Sequence, residues 1–166
     1  EHRERGILNC CKHFPGHGDT GSDSHITLPV IVSGMDRLES VEWIPFRKAI
    51  EADVAGVMTA HIAFPNLLGN NEPATISPFF LTGILRDRMN FNGLVITDDM
   101  EMKGVASGRE PGEAAVLAVR AGADIVLTSS WEHVNRMFMA ISDAVKRGGL
   151  SPERIDSAVR RIVECK

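Results

Sequence analysis

The chain has 166 residues, of which 43% are hydrophobic and 24% are charged, so it is long enough to bury the core of one globular unit. Its 18 Lys and Arg residues and 22 Asp and Glu residues give a net charge of -4 without a block of like charges, which argues against nucleic acid as a partner. The sequence contains no apolar run of roughly 18 residues and no visible signal peptide, so we expect no membrane partner and a cytoplasmic location.

The 3 cysteines are an odd number, and two of them, Cys10 and Cys11, are neighbours. This arrangement is unsuited to a disulfide framework and favours a reducing compartment. The sequence begins with Glu1 and enters a strand-like segment almost at once, so we expect it to start partway through a longer protein.

Four short apolar or β-branched runs alternate with helical patterns, and this alternation predicts a parallel α/β protein. The predicted strands cover residues 7–12, 56–61, 94–97 and 124–128. A helix is predicted over residues 43–52, and further helices follow recognisable start signals. These signals are Ser77-Pro78, Pro111, Ser129 with Glu132 as a capping box, and Ser151 followed by Pro152.

Polar side chains follow the predicted strands at their carboxyl ends. Lys12 and His13 close the first strand, His61 ends the second, and Asp98 and Asp99 follow the third. The carboxyl ends of parallel strands meet at one edge of a sheet, and parallel α/β proteins build their sites there. We therefore expect these residues to form a functional site.

The loop of residues 13–25 carries the densest group of polar side chains. It holds three histidines and two aspartates, which are His13, His17, Asp19, Asp23 and His25. Imidazole and carboxylate groups bind zinc, iron or manganese, which would suit a metal-dependent hydrolase. The spacing matches no compact metal motif, however, and the alternative is a glycine-rich loop whose polar side chains bond its own backbone.

Residues 12–20 read Lys-His-Phe-Pro-Gly-His-Gly-Asp-Thr, and Asp23-Ser24-His25 and Leu28-Pro29 follow them. Together with segments 57–61, 73–77 and 91–100, in that order, this motif resembles the family 3 glycoside hydrolases of the β-N-acetylhexosaminidase type. The resemblance covers nearly the whole chain and implies the parallel βα units of a TIM-type (β/α)8 barrel. Such a barrel takes about 250 residues, so four strands would supply about its second half. Residues 1–166 would then form the C-terminal half of the family's catalytic barrel.

The resemblance implies retaining hydrolysis of terminal β-linked N-acetylglucosamine. The family's nucleophile is the first Asp of an Asp pair, here Asp98, although the periodicity of the sequence does not separate it from Asp99. The acid/base is implied to be a histidine, His25, with Asp23 to orient its ring. This pair replaces the second carboxylic group that most glycosidases use.

The same resemblance assigns Lys12 and His13 to binding of the sugar hydroxyls. His61 is expected either to line the pocket or to act from behind it, and His17 and Asp19 are expected to brace the loop. No cofactor and no metal ion is implied.

Half a barrel would expose two sheet edges and part of its core, so a protein partner is expected beside the carbohydrate substrate. That partner is the missing N-terminal half-barrel or a second copy of the chain. Two other functions compete with the enzyme. One is an inactive or non-enzymatic fragment of such a protein, and the other is the metal-dependent hydrolase that uses the His and Asp residues of the loop.

Overall fold

The structure is a computed structural model that describes residues 5–18, 20, 28–106 and 108–165. Its centre is a parallel sheet with the strands in the order β1, β2, β3. These strands are β1 (Cys10–Phe14), β2 (Gly56–Thr59) and β3 (Leu94–Ile96). Strand β2 lies in the middle, because Gly56 is paired with Cys10 on one side and with Leu94 on the other. The prediction of a parallel α/β protein is confirmed.

The predicted fourth strand over residues 124–128 is wrong. In the part of the chain that the structure describes, this segment contributes a single parallel bridge between Ile125 and Ile96. The Asp124 carboxylate accepts the N–H of Val95 at 3.0 Å, while the Val95 carbonyl accepts the N–H groups of Asp124 and Ile125 at 2.8 and 3.1 Å. Leu127 then gives its N–H to the Thr97 hydroxyl at 2.9 Å instead of to a β3 carbonyl, so the pairing stops after one bridge and the sheet of the described residues has three strands.

The ends of the other strands also differ from prediction. Strand β1 starts three residues later than expected, because Asn9 pairs with the neighbouring segment partly through its side chain. Its Oδ1 accepts the N–H of Ala55 at 2.9 Å, and its carbonyl accepts the N–H of Gly56 at 3.0 Å.

Helices and short helical turns connect the strands. The α-helices of the described residues are α1 (Met35–Arg37), α2 (Trp43–Glu51), α3 (Pro65–Leu68), α4 (Lys103–Ala106), α5 (Pro111–Ala121), α6 (Trp131–Lys146) and α7 (Pro152–Glu164). The π-helices Leu38–Glu42 and Phe79–Arg88 and the 3-10 turn Ala74–Ile76 lie between them. No helix in these described ranges combines the length and the apolar character that a membrane span requires.

Several predicted helix starts are confirmed. Pro111 is the first residue of α5, and the helices predicted at 43–52 and after Ser77-Pro78 are present. Ser151 caps α7, because its side chain accepts the N–H of Arg154 at 3.2 Å.

The predicted capping box at the start of α6 is wrong. The residue before α6 is Ser130, and its side chain makes no cap hydrogen bond. Ser129 instead donates its N–H to the Asp99 carboxylate at 3.1 Å, and Glu132 pairs with Arg136 at 3.2 Å. The segment before α6 is therefore held by the loop after β3 rather than by its own cap.

Large side chains fill the space between the sheet and the helices. Those with no measurable exposure include Phe14, Leu38, Trp43, Val57, Phe64, Phe80, Leu81, Leu85 and Val95. Phe14 at the end of β1 packs edge-on against Phe46 of α2, with the ring centres 5.3 Å apart. Burial of this kind is the main source of stability in the fold.

Asp124 joins β3 to two helices through three arginines. Its carboxylate has no exposed surface and forms ion pairs with Arg86, Arg154 and Arg161. Burial lowers the pKa of Arg86 to about 10, although the charge of Asp124 opposes that shift. The cluster fixes the π-helix and α7 against the amino end of the bridged segment.

Apolar side chains remain exposed on the outer helices. On α6, Trp131 is 85% exposed, Phe138 67% and Met139 53%. On α7, Val159 is 51% exposed and Val163 62%. Single exposed apolar residues are ordinary, but five on two consecutive helices are typical of surfaces that pack against another part of a protein.

Candidate active site

His13 and Asp98 lie together at the carboxyl ends of β1 and β3. His13 Nε2 is 3.6 Å from Asp98 Oδ2, and the two side chains are 28% and 20% exposed. The other oxygen of Asp98, Oδ1, accepts the N–H of Asp99 at 2.9 Å. Asp98 therefore keeps one oxygen on the histidine side, in a partly exposed position.

The adjacent carboxylate, Asp99, is held by backbone groups. Its Oδ1 accepts the N–H of Glu101 at 3.0 Å and the N–H of Ser129 at 3.1 Å. Burial alone would raise the pKa of Asp99, but the hydrogen bonds from Ser129 and Glu101 outweigh it and lower the pKa. Asp99 is therefore an ionised anchor between two loops, which distinguishes it from Asp98.

A second polar group joins the same two loops. Glu101 Oε1 accepts the hydroxyl of Thr128 at 2.8 Å and lies 2.7 Å from Nδ1 of His133 on α6. Glu101 and His133 are parts of the site that the sequence did not predict. They are 32 positions apart, and no motif or periodicity links residues that meet only through the tertiary fold.

His61 is buried behind the Asp98–Asp99 loop. It is 1% exposed, its Nδ1 lies 2.9 Å from Thr75 Oγ1, and its Nε2 lies 3.0 Å from the Asp99 carbonyl. Burial lowers the pKa of His61, while the Asp99 carbonyl and the charges of Asp98 and Asp99 oppose that shift. Both ring nitrogens already contact protein groups, so this position favours the expected role behind the pocket over direct contact with a sugar.

Lys12 and His13 line a cavity of about 590 Å³ at the end of β1. His17 and the buried Glu42 form other parts of its wall. The hydroxyl of Thr20 donates to the His17 carbonyl at 2.9 Å and lies 2.7 Å from its Nδ1, so His17 is tied into its own loop as expected. Lys12 and His13 are thus placed beside each other at a concave surface.

Three of the predicted site residues, Asp19, Asp23 and His25, lie outside the described residues. Their assignments stay predictions. Among the described residues, no group of three or more His, Cys, Asp or Glu side chains is arranged to hold a metal ion.

Residues 2–165 match the family model of the glycosyl hydrolase family 3 N terminal domain. The chain belongs to this family. The resemblance seen in the sequence is thereby confirmed at the level of the family. The match is to an N-terminal domain, so the prediction that the chain is a C-terminal half is wrong in that respect.

Individual family members are similar over nearly the whole chain. One is a glycoside hydrolase family 3 β-N-acetylglucosaminidase from Paenibacillus sp. str. FPU-7. Its structure superposes with a TM-score of 0.95 at 42% identity, and the match covers 99% of this chain and 31% of the Paenibacillus chain. A β-hexosaminidase A from Pseudoalteromonas piscicida is 31% identical over 97% of this chain and 30% of its own length. A β-hexosaminidase from Methylococcus capsulatus is 36% identical over 75% of this chain and 37% of its own.

The chain therefore spans about a third of the length of these relatives. The Paenibacillus structure covers 99% of this chain, so the parallel strands and helices described above have counterparts in it.

Proposed function

We propose that the chain carries the nucleophile and part of the sugar pocket of a retaining β-N-acetylglucosaminidase, with terminal β-linked N-acetylglucosamine as its substrate. The names of the similar proteins support this reaction. The observation that carries the assignment is the difference between two adjacent carboxylates. Asp99 is bonded to the backbone of two loops, whereas Asp98 has an oxygen on the His13 side of the strand ends.

The proposed reaction has two displacements. Asp98 attacks the anomeric carbon and forms an ester bond to it while the bond to the leaving oxygen breaks, and His25 gives that oxygen a proton. Water then attacks the same carbon, the ester bond breaks, and His25 takes a proton from the water. Asp23 orients the imidazole and stabilises its charged form, which is present before His25 gives its proton and again after it takes one from water.

Lys12 and His13 hold the sugar in this proposal. A lysine offers ammonium hydrogens and a histidine offers a ring N–H, and both can bond to hydroxyl groups. Their place in the wall of one cavity supports the assignment. The distance of 3.6 Å between His13 and Asp98 also brings this binding group close to the proposed nucleophile.

Covalent trapping tests the proposed nucleophile directly. The full gene product is incubated with an activated fluorinated N-acetylglucosamine derivative, whose fluorine slows release of the covalent intermediate, and the labelled peptide is sequenced by mass spectrometry. We expect the label on Asp98. A label on Asp99, or on neither residue, would overturn the assignment.

The acid/base pair has a separate signature in the leaving group. Replacing His25 with Ala should slow substrates with poor leaving groups far more than activated aryl glycosides, because a good leaving group needs little protonation. Asp23→Ala should lose much of the same rate, and the double variant should be little slower than either single variant. The measurement is kcat/KM across aryl glycosides of graded leaving-group pKa. Equal losses for all leaving groups would limit the loop to a structural role.

We also propose that the sheet is part of a TIM-type (β/α)8 barrel whose other strands come from another segment of the polypeptide or from a second copy. Three parallel strands with a bridged segment beside β3 agree with part of such a barrel. The exposed side chains of α6 and α7 support a covering partner.

The 166-residue chain expressed alone should then be a dimer or a larger assembly with little or no β-N-acetylglucosaminidase activity. Uncovered sheet edges and apolar helix faces drive such association. Sedimentation velocity at micromolar concentration gives the measurement. A compact monomer that melts cooperatively would contradict the proposed incompleteness, and measurable turnover by that monomer would contradict the expected inactivity.

A further inference from the structure

The protons around His61 can be assigned from the chemistry of its neighbours. The Thr75 hydroxyl has three partners at 2.9 Å, which are the Ala60 carbonyl, Thr59 Oγ1 and His61 Nδ1. Thr59 can supply its own proton to Thr75. The single proton of Thr75 is therefore shared between the Ala60 carbonyl and His61 Nδ1.

The other side of the ring removes the ambiguity for a neutral imidazole. His61 Nε2 lies 3.0 Å from the Asp99 carbonyl, which can only accept a hydrogen bond, so this nitrogen carries the proton. A neutral imidazole has one N–H, so Nδ1 is bare and shares the hydroxyl proton of Thr75 with the Ala60 carbonyl. The doubly protonated ring would also fit these contacts, but it would place a positive charge in a site that is 1% exposed.

The hydrogen bond from His61 acts on the backbone next to Asp98. The peptide unit between Asp99 and Met100 is held at both ends. His61 donates to its carbonyl, and the N–H of Met100 donates to the Leu127 carbonyl at 2.9 Å. The peptide unit before Asp99 gives its N–H to Asp98 Oδ1 at 2.9 Å. Rotation of the peptide unit after Asp99 would therefore be transmitted through Asp99 to the carboxylate of Asp98.

We propose that His61, as the neutral Nε2–H tautomer fixed by the Asp99 carbonyl, is a positioning residue that holds the Asp98 loop in its reactive geometry. The proposal rests on the proposed function, since it takes Asp98 as the nucleophile. It assigns His61 no contact with the sugar and no proton transfer in the reaction. It also gives the buried Thr75 hydroxyl a purpose, because it supplies a hydrogen-bond partner for the bare Nδ1.

The tautomer can be read without substrate. In the full gene product labelled with ¹⁵N-histidine, NMR at pH 7 should show His61 with a protonated Nε2, a bare Nδ1 and an Nε2–H protected from exchange with water. A bare Nε2, or an imidazolium at this pH, would overturn the proposal. This reading is independent of whether the protein hydrolyses any glycoside.

Activity of the full gene product separates positioning from packing. His61→Leu removes the donor and should lower kcat roughly 100-fold with little change in KM, because small misplacement of a reacting group has effects of that size. His61→Gln keeps an N–H near the Nε2 position and should restore most of kcat. Thr75→Val leaves Nδ1 without its proton donor and should lower kcat roughly 10-fold, the scale of one hydrogen bond.

Val57→Ala is the matched control. Val57 is fully buried on the same strand as Thr59, but its side chain has no donor that could hold the Asp99 carbonyl, so this variant should lose stability and keep kcat. If Val57→Ala lowers kcat as much as His61→Leu at equal stability, or if His61→Gln is as slow as His61→Leu, the positioning role is wrong. A wild-type protein without turnover would instead overturn the proposed function, while the NMR result would still decide the tautomer.

Discussion

Replacing Asp98 with Ala should remove nearly all turnover of aryl β-N-acetylglucosaminides by the full gene product, by several orders of magnitude in kcat. The loss is large because the adjacent carboxylate cannot attack the sugar in place of Asp98. Asp99, the adjacent one, is bonded through Oδ1 to the N–H groups of Glu101 and Ser129. Steady-state kinetics on a chromogenic substrate give the measurement, and circular dichroism shows whether the variant is folded.

Asp99→Asn is the matched comparison. An amide oxygen can still accept the N–H of Glu101 or Ser129, but the charge that strengthens these bonds is lost. This variant should therefore lose some stability and part of its activity, and it should remain far more active than Asp98→Ala. An inactive Asp99→Asn beside an active Asp98→Ala would move the nucleophile by one residue.

The sequence predicted the strands and helices best where local rules decide them. The buried run of β3 and the Ser151-Pro152 start of α7 depend on side-chain patterns within a few residues, and both are present. The strand at 124–128 failed for a tertiary reason. Asp124 and Ile125 pair with Val95 as a strand start would, but Leu127 then bonds to the Thr97 hydroxyl instead of to a backbone carbonyl, and the pairing ends.

The candidate site likewise has features that the local sequence predicts and features that depend on tertiary contacts. The motif predicted Lys12, His13 and the Asp pair as site residues, because these are neighbours in the sequence or end successive strands. The periodicity of the sequence did not separate Asp98 from Asp99, since that difference depends in part on the N–H of Ser129, which is 30 positions away. The alternating pattern of β2 likewise gives no indication that both ring nitrogens of His61 are used inside the protein.

The ion-pair cluster of Asp124 with three arginines has the largest expected effect on the free energy of unfolding. Asp124→Ala should lower the free energy of unfolding by about 3–5 kcal/mol, the scale for removing one partner of a buried ion pair. Its carboxylate is fully buried against Arg86, Arg154 and Arg161, whose side chains are 11%, 19% and 28% exposed. Without the aspartate, these arginines would lose their counter-charge while keeping most of the cost of burial.

Urea unfolding of the full gene product, followed by circular dichroism, measures this loss. Asp143→Ala is the matched control, because Asp143 is 44% exposed and pairs with the exposed Lys146 at 3.5 Å. A surface pair of this kind contributes about 0–1 kcal/mol, so the control should unfold close to the wild type. If Asp124→Ala were as stable as Asp143→Ala, the cluster would not hold the π-helix and α7 on β3. Their attachment would then depend on apolar packing alone.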